Sequence, residues 1–438
     1  MKFYNREKEL EFLTSIRERS VEEAQMTVVV GRRRIGKTRL LKKVVENEDT
    51  ALYLFVTRKS EILICEEFKE EIERKLQVKL FGTFTRFNEL FQYLMDLSAT
   101  RNFSLIIDEF QEFYTVNPSV YSEMQNIWDS YKDQSRINLI ICGSIYSLMK
   151  KIFENSKEPL FARATERIHL KPFHVDTLKE ILADNHPGYK PEDLLAFYLF
   201  TGGVAKYVEL FISKKAFTLG KMLDEIFREN SSFIEEGRTV LIEEFGKDYA
   251  TYFSILSLIA SSRTSRSEIE SILEVSIGGY LERLENVFNL IRKVRPIFSK
   301  PGARNIKYEI VDNFLNFWFR FIYKYQSAVE IGNFGYLRTI VERDYPMYSG
   351  KLLERYFTEN LVNLKRYSAI GTWWERGNQN ELDIVAVDDL NKSVLFAEVK
   401  RNKENISIPV LQKKARNLLH TRLQEYAADY SGFSMDDM

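Results

Sequence analysis

Short apolar runs alternate with stretches of helical spacing from Met26 to about Phe173. Val28–Val30, Ala51–Val56, Ser104–Ile107, Leu139–Cys142 and Arg167–Leu170 read as buried strands, with helical patterns between them. Such alternation predicts a mainly parallel sheet with helices on both faces, an α/β fold. From His174 to about Glu235 the spacing is helical, broken at Gly202-Gly203. Residues 236–312 read as helices followed by a short hairpin. An aromatic-rich helix, Phe314-Leu315-Asn316-Phe317-Trp318-Phe319-Arg320-Phe321-Ile322, comes next. After Pro346 a second α/β unit is expected. The acidic, polar tail Ser431–Met438 is expected to fray outside it. The parts divide as 1–173, 174–235, 236–312, 313–345 and 346–438.

Composition narrows the class. A chain of 438 residues holds about three domains at roughly 150 residues each. Hydrophobic residues are 45% and charged residues 29%, which is globular rather than disordered. Lys plus Arg and Asp plus Glu each number 63, so any face for nucleic acid must be local. Cys65 and Cys142 are too few for a disulfide framework, and Cys142, inside an apolar run, reads as a small buried hydrophobe. Four scattered histidines argue against zinc. Met1–Glu7 has no apolar stretch for a signal peptide, and no apolar run reaches the ~20 residues that span a bilayer. The expectation is a cytoplasmic protein without a membrane partner.

One motif changes the picture most. Gly31-Arg32-Arg33-Arg34-Ile35-Gly36-Lys37-Thr38 fills the phosphate-loop template G-x-x-x-x-G-K-[ST]. An apolar strand, Met26–Val30, precedes it, and a helical pattern from Thr38 to Val45 follows. Backbone N–H groups and a helix N-terminus then form an anion cradle. In that template Lys37 reaches the β- and γ-phosphates and the Thr38 hydroxyl holds Mg²⁺. The nucleotide stretch is expected to run from Gly31 to Arg39. The triplet Arg32-Arg33-Arg34 occupies free template positions and reads as loop charge facing solvent.

The run Ser104-Leu105-Ile106-Ile107-Asp108-Glu109 is an apolar strand ending in two acids. Beside a phosphate loop, the first acid supports the metal and the second polarises the attacking water. Asp108 and Glu109 take those roles here. Ser144 follows the strand Leu139–Cys142, where it senses the γ-phosphate or holds the water, or else caps a helix.

These segments resemble the archaeal-type ATPases of the AAA+/STAND group, which also occur in bacteria. Phe3-Tyr4-Asn5-Arg6-Glu7-Lys8-Glu9-Leu10 is similar to that family's opening motif near the adenine. Pro159–Phe173 is similar to the stretch that closes its ATPase core. Thr201-Gly202-Gly203-Val204-Ala205-Lys206-Tyr207 is similar to its lid motif, with Ala205 where the family has proline. The C-terminal third is similar to the DUF234-type domain that follows this ATPase. The resemblance implies a P-loop NTPase core of the AAA+/ASCE type at 1–173 and a helical lid at 174–235. It also favours ATP as the nucleotide. Arg163, in a turn before the fifth strand, is the candidate to stabilise transition-state charge, in cis or from a neighbouring subunit of a homo-oligomer. A surface salt bridge is the competing reading of Arg163.

For 236–312 the order of helices and hairpin, together with the family, implies a winged helix-turn-helix. Ser265 and Glu268 stand at capping-box spacing. Tyr280 and Arg283 would face a major groove, and Arg292, Lys293 and Arg295 would meet phosphates. Glu282 and Glu285 would repel them, so a structural or protein-binding winged helix competes. Residues 313–345 read as a helical connector.

Toward the C-terminus, Glu381–Val387 and Leu395–Lys400 read as strands. Glu398 and Lys400 share a face, and Asp383 on the adjacent strand could meet them. Two carboxylates beside a lysine suit Mg²⁺-assisted phosphodiester chemistry. Glu354, on the amphipathic helix Gly350–Phe357, would add a third acid. This set is similar to the PD-(D/E)XK nuclease fold, and Gly371-Thr372-Trp373-Trp374-Glu375-Arg376-Gly377 fits the DUF234 lead-in. Lys400, Arg401, Lys403, Lys413, Lys414 and Arg416 form either a phosphate-attracting surface or a solvated face. Three functions therefore compete: Mg²⁺-dependent ATP hydrolysis, an ATP-gated nuclease acting on double-stranded DNA, and a nucleotide-exchanging switch whose C-terminal domain only binds.

Overall fold

The computed structural model describes residues 2–246, 249–300, 302–303, 305–375, 377 and 379–438. Arg376 of the lead-in lies outside the described residues. The chain forms two compact units, one of Lys2–Pro172 with Val204–Lys206, the other of Phe173–Gly203 with Tyr207–Met438.

In the first unit, β1 (Gln25–Val30), β2 (Leu52–Phe55), β3 (Phe103–Asp108), β4 (Ile137–Cys142) and β5 (Glu166–His169) form one parallel sheet in the order β2-β3-β4-β1-β5. Every residue of β1, β3 and β4 is buried. The pleat sends alternate side chains to opposite faces. Val28, Val30, Leu105 and Ile141 join one core, while Val29, Ile106, Ile140 and Cys142 join the other. This is why the strands read as unbroken apolar runs. Parallel register brings the carboxyl ends of β1, β3 and β4 to one edge of the sheet. From β1 the chain crosses to β2 at the far edge and returns through β3 and β4. A crevice therefore opens beyond the β1 tip, where such sheets bind ligands.

The second unit begins with helices Val175–Asn185, Pro191–Thr201, Leu219–Ile226 and Ser232–Phe245. Three further helices follow, Tyr249–Ala260, Arg266–Leu273 and Gly278–Asn286, and then an antiparallel pair, β6 (Ile291–Val294) and β7 (Lys307–Ile310). Ser265 caps the second of these helices by accepting from Glu268 N at 3.3 Å. The aromatic helix Asn313–Phe321 is held by burial of Phe314, Phe317, Trp318, Phe319 and Phe321, and Trp318 Nε1 donates to Ile234 O at 2.7 Å. The last body is a four-stranded sheet in the order β11-β10-β9-β8, made of β8 (Ala369–Trp373), β9 (Leu382–Asp388), β10 (Ser393–Val399) and β11 (Ala427–Phe433). β8–β9 and β9–β10 are antiparallel, and β10–β11 is parallel across the helix Ile408–Arg422.

Two sequence expectations are corrected here. Pro346 does not open a new unit, because one helix runs from Phe334 to Asn363 through it. The proline forfeits one backbone bond, but burial of Leu337, Val341, Tyr345, Tyr348, Leu352 and Leu353 holds the helix together. The tail does not fray from Ser431. Ser431 and Gly432 pair with Ala397 and Glu398 in β11, and Ser434 caps the turn Met435–Asp437.

Candidate nucleotide site

The loop after β1 folds around its own lysine. Gly36 adopts φ 100°, a left-handed conformation open to glycine, and becomes the N-cap of the helix Lys37–Val44. Ile35 is buried beside Val29, Leu40 and Ile168, which anchors the loop to the sheet. Lys37 is 6% exposed. Its Nζ donates to Gly31 O at 2.7 Å and to Arg32 O at 2.9 Å. Burial pulls its ammonium below the usual lysine range, against the opposing fields of Cys142, Glu109 and Asp108. Arg34 O accepts from Lys206 N at 3.1 Å, so the segment after Gly202-Gly203 touches the loop through backbone. A backbone contact of that kind does not need the family's proline at Ala205.

The acids come from the tip of β3. Asp108 is 2% exposed. Its Oδ2 accepts from Thr38 Oγ1 at 3.0 Å and from the Tyr53 hydroxyl, and its Oδ1 accepts from Glu109 N at 2.9 Å. Glu109 turns sharply with φ 55°. Its Oε2 accepts from Ser144 Oγ at 2.6 Å, from Ser144 N at 3.3 Å and from Gln111 Nε2. Arg33 Nε in turn donates to Ser144 Oγ at 3.4 Å. Lys37, Thr38, Asp108, Glu109 and Ser144 are thus brought together from the tips of β1, β3 and β4. The buried Cys142 thiol lies beneath them, and burial raises it well above its usual range.

Arg32, Arg34 and Arg39 lie at the surface of the loop and its helix, with Arg39 over the Phe3 ring at 6.0 Å. Arg33 differs from its reading as solvent-facing charge, because it reaches Ser144. Arg163 does not join the cluster. Thr165 N donates to Met26 O at 2.8 Å, at the start of β1, so Arg163 lies at the opposite edge of the sheet from the loop. There it pairs with Asp129 at 2.9 Å. The expectation of a cis arginine finger is corrected to the salt bridge. Two residues were missed by sequence reasoning, Tyr53 and Gln111. Tyr53 is the polar tip in the apolar strand Leu52-Tyr53-Leu54-Phe55 next to β3, which is the signal that could have found it. Gln111 carried no comparable signal.

The residues present fit a nucleotide with its cation. The Thr38 hydroxyl and the buried Asp108 carboxylate, 3.0 Å apart, are hard oxygen donors suited to Mg²⁺. Among the described residues the buried ammonium donates to the Gly31 and Arg32 carbonyls, which a phosphate can replace.

In the C-terminal body the expected residues also meet. Lys400 Nζ lies 3.2 Å from Asp383 Oδ2 and 3.7 Å from Glu398 Oε1. Asp383 Oδ2 further accepts from Val399 N at 2.8 Å. Glu398 accepts from Ser407 N at 3.2 Å and from Lys414 Nζ at 3.0 Å. Burial and the nearby Asp383 charge push the Glu354 carboxyl up to about 8. The strand acids are thus capped by lysines and amides. Among the described residues no group of three or more His, Cys, Asp or Glu side chains is placed to hold a metal ion. The expected three-acid Mg²⁺ cluster does not fit this arrangement. Part of the basic cluster is also spent internally, since Arg401 pairs with Glu192 at 2.6 Å. Upstream, the half-buried Tyr280 packs edge-on against the Tyr252 ring at 5.1 Å, Arg292 pairs with Glu309 at 3.0 Å, and Lys293 pairs with Glu285. These contacts divert residues expected to read a groove or to meet phosphates.

Among the described residues no helix is long and apolar enough to cross a membrane. A family model described as an ATPase domain predominantly from Archaea matches residues 3–211. A second, DUF234, described as archaeal and bacterial proteins of unknown function, matches residues 318–418. The chain is 30% identical over 407 residues to an uncharacterized protein of Methanocaldococcus jannaschii, covering 91% of this chain and 87% of that one. Its fold is similar to a Walker-type ATPase of Pyrococcus abyssi at 18% identity and a TM-score of 0.54, covering 72% of this chain and 96% of that one. The ORC2 protein of Aeropyrum pernix, solved as ADPNP and ADP complexes, is similar at 15% identity and a TM-score of 0.48, covering 75% of this chain and 96% of that one. Phosphate loop, acid-tipped strand, sheet order and sequence relationship agree, and the chain belongs to the archaeal-type ATPase family, with a DUF234 region in its C-terminal part.

Proposed function

We propose that the site hydrolyses ATP with Mg²⁺, and that ATP state governs DNA binding by the C-terminal parts of the chain. The observation that carries this reading is the convergence of Lys37, Thr38, Asp108 and Glu109 from two strand tips. Lys37 Nζ exchanges the Gly31 and Arg32 carbonyls for the β- and γ-phosphate oxygens. Thr38 Oγ1 and Asp108 would hold Mg²⁺, which supplies charge neutralisation on those oxygens. Glu109 receives the proton of the attacking water as the water oxygen bonds to the γ-phosphorus and the bond to the β,γ-bridging oxygen breaks. Ser144 and Gln111 position the Glu109 carboxylate. Most of the acceleration is then positioning and preorganised charge.

The test is ATP turnover and ATP affinity, with Mg²⁺ and with EDTA. Glu109→Gln is expected to keep Mg²⁺-dependent ATP binding and to lose turnover at least 100-fold, about the size of a general-base contribution. Lys37→Ala is expected to lose binding. Parent-like turnover in Glu109→Gln sinks the hydrolysis reading. Faster turnover with double-stranded DNA is expected from the coupling, and an unchanged rate removes it.

A second reading, a nucleotide-gated regulatory switch with a binding-only C-terminal domain, is favoured by one observation. Lys414, a lysine outside the Asp383…Glu398-x-Lys400 set, closes on Glu398, an acid that a PD-(D/E)XK nuclease needs open. No DNA cleavage in Mg²⁺ is expected from this body. Cleavage by the parent chain that disappears in Asp383→Ala would overturn the binding-only assignment.

A further inference from the structure

The second unit contains a cavity that shares no residue with the phosphate loop. Its wall comes from the end of helix Tyr249–Ala260, the β6–β7 pair, helix Asn313–Phe321, helix Phe334–Asn363 and β8. The volume is about 490 Å³, inside the range of about 300–1,000 Å³ for small-molecule sites.

Charge and hydrogen bonding in the wall are lopsided. Glu309 is committed to Arg292 at 3.0 Å and to the buried Arg355 at 3.5 Å. Glu354, the other wall acid, sits one helical turn from Lys351. Arg295 and Lys351 line the cavity, are exposed, and make no hydrogen bond or ion pair among the described residues. Arg320 donates through one terminal nitrogen to Ala260 O at 3.1 Å, but its Nε is buried without an acceptor. Two more lining residues, Tyr348 and Thr372, carry buried hydroxyls without partners. A buried donor left without an acceptor destabilises the fold until a ligand supplies one. Three such donors beside two unpaired cations make a site short of oxygen acceptors and short of negative charge. Among the other lining residues, Ile259, Val294, Leu352 and Ile370 offer apolar surface for a flat ring.

We propose that this cavity binds the terminal phosphate of a nucleotide, either a free mononucleotide or the end of a nucleic-acid strand. Arg295, Arg320 and Lys351 are its cationic contacts, and Tyr348 and Thr372 donate to the phosphate oxygens after hydroxyl rotation. The apolar wall takes the base. A phosphate is the fitting ligand because several oxygens on one centre can satisfy donors that converge from separate elements.

The experiment uses the full-length Lys37→Ala chain, so that the phosphate loop contributes no nucleotide binding. A labelled single-stranded 10-mer carrying a 5′-phosphate is titrated against its 5′-hydroxyl twin, with AMP as competitor. The phosphorylated strand is expected to bind at least tenfold more tightly. Arg295→Glu/Lys351→Glu should abolish that preference. Both positions are exposed, so the fold is expected to persist, and its thermal transition checks this. Thr372→Val should weaken phosphate binding severalfold while leaving the free chain at least as stable, because it removes an unpaired hydroxyl. Displacement by AMP identifies a free nucleotide as the source, and phosphate preference without displacement identifies a strand end. Equal binding of both strands with no AMP binding overturns the proposal, as does parent-like preference in the folded double variant.

Discussion

Asp108 divides its two carboxylate oxygens. Oδ2 accepts from the Thr38 and Tyr53 hydroxyls, while Oδ1 accepts from the Glu109 amide and so fixes the turn that aims Glu109 at Ser144. The strand tip, the Thr38 hydroxyl and the Glu109 carboxylate are therefore positioned by one side chain, and the apolar run before it reveals only its place in the sequence. Glu354 gives a prediction at the same scale. Its carboxyl is raised from an ordinary 4.5 to about 8, so the folded chain keeps a proton that the unfolded chain has released. A raised acid lowers stability as pH climbs from 4.5, with the full penalty present above 8. Glu354→Gln, which mimics the protonated form, is expected to gain stability over the parent progressively across that window and to level off beyond it. Urea denaturation at pH 5, 7 and 9 measures this, and a constant difference would refute it.

Between elements, packing rather than propensity decides the outcome. Helix Ser232–Phe245 meets helix Asn313–Phe321 at Gly237, where an added Cβ would lie 2.3 Å from the Trp318 ring. That ring cannot swing away cheaply, because its Nε1 is bonded to Ile234 O. Ala normally favours a helix over Gly by about 1 kcal/mol. Overpacking here costs about 1–3 kcal/mol. Gly237→Ala is therefore expected to lower the thermal midpoint of the second unit, and a higher midpoint would contradict the packing. The same balance explains why Pro346 failed as a boundary. A proline is a strong local stop signal, but six buried side chains along one helix outweigh one lost backbone bond. The strand β11 was hidden for a related reason. Asp429, Ser431 and Gly432 have weak strand preference alone, and the pairing of Asp429–Gly432 with Leu395–Glu398 exists only once helix Ile408–Arg422 returns the chain to that edge.

For the whole molecule, two units with separate cores predict two calorimetric transitions. Saturating ADP with Mg²⁺ should raise only the transition of the nucleotide unit. At a hundredfold excess over Kd the gain is about 2.7 kcal/mol, and Lys37→Ala should cancel it. One transition, or an equal shift of both, would contradict this independence. The phosphate loop, the two acids and the five strands were legible in the sequence because their signals are local: a fixed template, an apolar run and its terminal residues. The closeness of Asp383, Glu398 and Lys400 was legible too, because strand alternation places them. What lay beyond the sequence depends on residues far apart in the chain. The parallel pairing of β5 with β1 put Arg163, which precedes β5, at the amino end of the sheet, away from the phosphate loop. Register brought Tyr53 to Asp108 across 55 positions. The approach of Lys414 to Glu398 capped an acid that spacing alone left open. Local periodicity determines which elements form and what chemistry they carry. Which side chains share a space is decided when distant elements pack, since burial and pairing energies act only between groups the fold has already brought together.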